Sequence, residues 1–141
     1  MKHANWLFVV MLVLLSGMAA AQLIGSTRVV AQVPFEFMVA NKIVPAGECV
    51  VQAATMDGKT LVIRNSAAKV ALMSTSSQTE AKQDASHYAL VFKRYGDRYF
   101  LSAIELEGSN ITYRLPESKV EAELRAQSVA ATEETLRASL K

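Results

Sequence analysis

The stretch Tyr88-Ala89-Leu90-Val91-Phe92-Lys93-Arg94-Tyr95-Gly96-Asp97-Arg98-Tyr99-Phe100-Leu101-Ser102-Ala103-Ile104-Glu105 decides the fold. Gly96-Asp97 at its centre reads as a two-residue hairpin turn, because such turns need φ > 0 and glycine accepts it without steric cost. That turn sets Tyr95 opposite Arg98, Arg94 opposite Tyr99, Phe92 opposite Leu101 and Leu90 opposite Ala103. Strand alternation then sends Leu90, Phe92, Tyr99, Leu101 and Ala103 to one face. Val91, Phe100 and Ile104 fall on the other, with Lys93, Tyr95 and Ser102. Large apolar groups on both faces predict a central hairpin covered on two sides.

Working outward, short apolar runs separated by turn-forming residues continue the β pattern toward the N-terminus. Residues 28–33 and 35–39 form a first run interrupted by Pro34, which has no N–H to donate and so predicts an edge or a kink. Ala40-Asn41-Lys42 reads as a tight turn, since Asn tolerates φ > 0. Val44-Pro45-Ala46-Gly47 reads as a type I turn. Asp57-Gly58 is a further hairpin signal and links a strand over residues 49–53 to one over 60–65. Asn65-Ser66-Ala67-Ala68 turns the chain into a strand from Val70, and residues 76–86, poor in apolar side chains, read as an exposed loop.

Toward the C-terminus, a last strand near residues 111–115 gives way to Pro116, a residue suited to the first turn of a helix. Glu117, Glu121 and Glu123 suit its positive end, while Glu121 with Arg125 and Glu133 with Arg137 form i, i+4 pairs in the favourable order. Alanine content adds to the helical signal. The apolar stripe of Val120, Leu124, Ala131, Leu136 and Leu140 is thin. A helix is therefore expected from about Glu117, covering the second face of the hairpin, with the part beyond Ser128 detached or frayed.

The 141 residues are 51% hydrophobic, but 16 of the 72 apolar residues lie among the first 21. The other 120 residues carry 56, an ordinary content for one globular domain. Lys2 and His3, ten apolar residues from Trp6 to Leu15, and Met18-Ala19-Ala20-Ala21 have the layout of a signal peptide cleaved before Gln22. This predicts a secreted or periplasmic protein with no stable membrane insertion after cleavage. The rest carries 14 basic and 13 acidic residues, which argues against a general nucleic-acid binder. The domain reading is a signal peptide over 1–21, an antiparallel β domain over 22–115 and a C-terminal helix over 116–141.

Few residues remain for chemistry. Cys49 is the only cysteine, so it cannot form an internal disulfide, and its place in a β-type run suits a small buried hydrophobe. His87 is the only histidine beyond the signal segment and reads as a loop residue facing solvent. One Cys and one His without clustered carboxylates do not make an ordinary zinc site, and Asp57 or Asp84 alone does not make a calcium loop. Glu36 and Glu105 alternate outward, away from any shared cleft of the kind glycosidases need. We expect no catalytic residue, cofactor or metal. A candidate binding surface remains at the hairpin tip, where Lys93, Arg94 and Arg98 interleave with Tyr95 and Tyr99; a basic, aromatic tip can meet phosphate, bases or sugars.

Val33-Pro34-Phe35-Glu36-Phe37, Val44-Pro45-Ala46-Gly47-Glu48 and Tyr95-Gly96-Asp97-x-Tyr99-Phe100-Leu101 together resemble a group of small exported bacterial proteins of unknown function. In that group a tyrosine follows the Pro-Ala-Gly-x turn, where Cys49 stands here. The resemblance implies a signal peptide, a compact β domain and a terminal helix, and it brings no activity or site with it. The expectation is a mainly β protein, an antiparallel sandwich or partly open barrel of about seven strands with one C-terminal α-helix. Its expected role is a non-catalytic structural or binding module with a cell-envelope partner or small ligand. A carrier holding an apolar ligand inside a barrel is the alternative, and a hydrolase ranks third.

Overall fold

A computed structural model describes residues 28–140 of the chain. The expected signal segment, residues 1–21, lies outside the described residues. Among the described residues, twelve strands and one helix appear in the order β1 Arg28–Val33, β2 Phe37–Val39, β3 Lys42–Val44, β4 Gly47–Ala53, β5 Thr60–Asn65, β6 Val70–Thr75, β7 Ser77–Glu80, β8 Ala89–Tyr95, β9 Arg98–Glu105, β10 Ile111–Arg114, α1 Lys119–Ala126, β11 Ala131–Arg137 and β12 Ser139–Leu140. They build two facing sheets, the sandwich form of the expected mainly β fold, with no closed barrel. Sheet 1 runs β12-β1-β4-β5-β6, and sheet 2 runs β11-β8-β9-β10-β7, with β2 beside β9 and β3 beside β2.

Alternation explains the core. Val29, Ala31, Val33, Cys49, Val51, Leu61, Ile63 and Leu72 point inward from sheet 1, and Phe37, Val39, Val44, Leu90, Phe92, Leu101 and Ile104 meet them from sheet 2. Phe92 takes Phe35 and Phe37 edge-on at centroid distances of 5.0 and 5.1 Å, the arrangement that ring quadrupoles favour. Cys49 is the small buried hydrophobe that its sequence context predicts. Burial pushes its thiol up to about 12, so the reactive thiolate does not form at neutral pH.

Prolines mark two crossings between the sheets. Pro34 separates β1 in sheet 1 from β2 in sheet 2, and Pro45 separates β3 from β4 on the way back. Buried Asn65 secures the second crossing, with Nδ2 donating to the carbonyls of Pro45 (2.9 Å) and Ala46 (3.3 Å). Its Oδ1 accepts from Ala68 N at 3.1 Å, so a polar group in the core leaves nothing unpaired. Two more crossings are single residues: Ser76 joins β6 to β7, and Ala138 joins β11 to β12.

Several sequence expectations need correction. Residues 77–84 are exposed, yet 77–80 form a strand against β10 rather than a loop. The Asp57-Gly58 hairpin joins the expected strands, but through six residues. Gly58 alone takes positive φ there (68°), while Asp57 Oδ1 accepts from Thr55 Oγ1 and Lys59 N. Those hydrogen bonds hold the exposed Asp57 carboxyl below its ordinary range. The helix begins at Lys119 rather than Glu117, with Ser118 as its N-cap, and stops at Ala126. Ser128 takes φ 61°, its N–H donating to Arg125 O and that of Val129 to Leu124 O; these two hydrogen bonds end the helix where glycine would be usual. The expected frayed helical end is instead β11, paired along the whole of β8.

Candidate functional site

The hairpin tip forms as the sequence predicts, with Tyr95 opposite Arg98, Arg94 opposite Tyr99 and Phe92 opposite Leu101. Gly96 takes φ 62° at the turn. Between Phe92 and Val91 the register shifts by one residue, so Leu90 meets Ile104 rather than Ala103. The extra residue on β9 is Ser102, whose carbonyl accepts from Leu115 N at 2.9 Å. A one-residue bulge exchanges the faces of everything beyond it. Ile104 consequently joins the core between the sheets, and Ala103 turns to the second face.

Alternation divides the five candidate binding residues. Arg94 and Tyr99 belong to the core side: Tyr99 stacks on Phe35 at 3.7 Å, and the Arg94 guanidinium lies 5.5 Å from the Tyr99 centroid. Arg94 Nε also donates to Gly96 O at 2.7 Å, and its NH1 lies 3.4 Å from Glu134 Oε1 on β11. Lys93 and Tyr95 lie on the opposite side, beneath α1. Arg98 is exposed. The structure therefore does not gather the five onto one surface, and four of them already have protein partners.

Under α1 sits a group that the sequence reading assigned elsewhere. Glu121 is 5% exposed, its Oε1 accepting from the Tyr95 hydroxyl at 3.2 Å and lying 3.9 Å from Lys93 Nζ. Burial raises its carboxyl above the ordinary range, against the opposing pull of Lys93 and the Tyr95 hydrogen bond. Burial and the facing Glu121 together push the Tyr95 phenol upward. The expected Glu121 to Arg125 pair does not form, since Arg125 Nε takes Glu117 Oε1 at 3.1 Å. Nor does a helical Glu133 to Arg137 pair, because both residues lie on β11. The missed signal was Ser118-Lys119-Val120-Glu121, the spacing of a capping box. Only half the box operates: Ser118 Oγ accepts from Glu121 N at 3.1 Å, while the Glu121 carboxylate turns to Tyr95. Asn41 Oδ1 accepts from Lys119 N at 3.0 Å, so the β2–β3 turn anchors the helix as well.

His87 is half-buried, and its Nδ1 lies 2.8 Å from Ser86 Oγ. Among the described residues no carboxylate bonds this histidine, and no group of three His, Cys, Asp or Glu side chains could hold a metal. A surface groove of about 610 Å³ opens where β1 meets the β11–β12 crossing, with Arg137 and Glu48 among its lining beside Val30 and Leu140. Among the described residues no helix is long and apolar enough to cross a membrane. Comparison with protein-family models, with curated proteins and with solved structures finds no match to this chain.

Proposed function

We propose that the chain is an exported, non-catalytic β-sandwich that serves the cell envelope or its exterior as a structural or binding module. The observation that carries this reading is the filling of the space between the sheets. Phe37, Ile63, Leu90 and Phe92 from both sheets are at most 1% exposed, which leaves recognition to the outer surfaces and edges. Lys93, Arg94 and Tyr95 of the hairpin tip are engaged by Glu134 of β11 and Glu121 of α1, and this favours a structural role for them over a reactive one. A carrier would need an interior cavity of several hundred Å³ for its ligand.

Native mass spectrometry of the purified protein tests the reading. The expected mass is that of polypeptide alone, and a stoichiometric apolar adduct would replace the module with the carrier. Export is tested in the same instrument: the N-terminus should lie at or near Gln22, whereas an intact Met1 in the membrane fraction would overturn the cleaved signal.

A further inference from the structure

The two sides of the sandwich end differently. On one side the outermost strands are β11 and β12, joined through Ala138. β11 carries Glu133, Glu134 and Arg137, and β12 is only two residues long. Charge and brevity are two of the devices by which exposed sheet edges avoid pairing with other chains. On the other side the outermost strands are β6 and β7, joined through Ser76. From Val70 to Thr79 there is no charged residue, no proline and no glycine. β6 also pairs with β5 in unbroken register from Asn65↔Val70 to Thr60↔Thr75, so no bulge twists this edge away. Met73 stands on its outer face, 62% exposed.

We propose that β6 is a homodimerisation edge, pairing antiparallel with β6 of a second copy about a two-fold axis at Met73. In that register Met73 faces Met73 of the second copy, Leu72 faces Ser74, and Ala71 faces Thr75. Each pair shares a face, as antiparallel neighbours must. The outer row of sheet 1 already runs Gln52, Val62, Met73. Across the axis it continues through Met73 and Val62 of the second copy, giving one apolar stripe over the joined sheets.

Charge favours a second copy as the occupant. Arg64, the nearest cation on the outer face, sits beside Ala71, which in this pairing meets Thr75 and not another arginine. Near-balance of charge outside the first 21 residues leaves little long-range repulsion between copies. A two-fold axis makes the contact self-complementary, so it closes at the dimer and leaves the two-residue β12 at each end of the joined sheet 1.

Sedimentation velocity on the purified protein should show a dimer whose population grows with concentration. Met73→Lys sets two ammonium groups face to face and should raise the dissociation constant roughly tenfold or more with an unchanged far-UV circular dichroism spectrum. Directly opposed strand residues lie about 4.5–5.5 Å apart at Cα, within the span of a disulfide. Met73→Cys should therefore cross-link two chains under copper–phenanthroline oxidation, while Met56→Cys, more exposed but off the edge, should not. A monomer at every concentration, a dimer indifferent to Met73→Lys, or equal cross-linking from positions 56 and 73 would each overturn the proposal.

Discussion

The two faces of the β8–β9 hairpin are both buried, but by different means. One face sends Leu90, Phe92, Leu101 and Ile104 into an apolar interior completed by sheet 1. The other buries Val91, Phe100 and Ala103 as well, and sets Tyr95 and Lys93 against Glu121 of α1. On the first face stability follows area and packing alone. On the second it also depends on whether one carboxylate keeps its hydroxyl donor, and on its protonation. Bringing a buried carboxylate of α1 against this face thus adds a polar condition that the apolar packing of Leu90, Phe92, Leu101 and Ile104 lacks.

The sharpest way to test the contrast is Phe92→Ala, expected to cost about 3–5 kcal/mol in urea unfolding, because the cavity opens among side chains held by two sheets. A loss under 1 kcal/mol would mean that the apolar face is not the core. Next is Tyr95→Phe, which keeps the ring against Phe100 (5.6 Å, edge-on) and removes only the donor to Glu121. A loss of about 1–3 kcal/mol is expected, much more than a surface hydroxyl would give. Ser128→Gly should raise stability by about 0.5–1 kcal/mol, since glycine takes the left-handed position after α1 without the strain serine bears. A destabilised variant would show that the helix end is held by something other than that turn.

The subtlest test is a slope with pH. The folded pKa of Glu121 lies above its unfolded value, so its contribution is fully present below the ordinary carboxylate range and is lost as pH rises through the raised folded value. Glu121→Gln should remove this part of the pH dependence, visible as the difference between the two stability profiles. Parallel profiles would place the carboxylate in water. Tyr95→Phe should move the same transition to higher pH, because the hydroxyl favours the ionised form.

Much of the fold was legible where local chemistry and tertiary pairing agree. The Gly96-Asp97 turn set the register at the hairpin tip, and the prolines at 34 and 45 announced interruptions that proved to be crossings between sheets. Legibility ended where they disagree. Glu133, Glu134 and Arg137 have helical spacing and company, but the open side of β8 offers a full ladder of hydrogen bonds, and Glu134, Leu136 and Ala138 alternate inward to use it. The bulge at Ser102 has no local signature either, because the residue that uses its carbonyl is Leu115. At the candidate site the sequence identified Lys93 and Tyr95 but not their shared partner. Glu121 looked like a surface charge, since nothing within α1 reveals which side rests on the hairpin.

The meeting of β1 with β12, Val29 beside Leu140 and Val30 beside Ser139, also orders events in time. Hairpins such as β4–β5 and β8–β9 close over a few residues and can form early, whereas pairings this far apart in sequence carry a large loop entropy and form late. β1 has β4 as a neighbour along its whole length, but its other side waits for β12. Sheet 1 therefore cannot be completed strand by strand in chain order, because the strand beside β1 on its outer side comes more than a hundred residues after it.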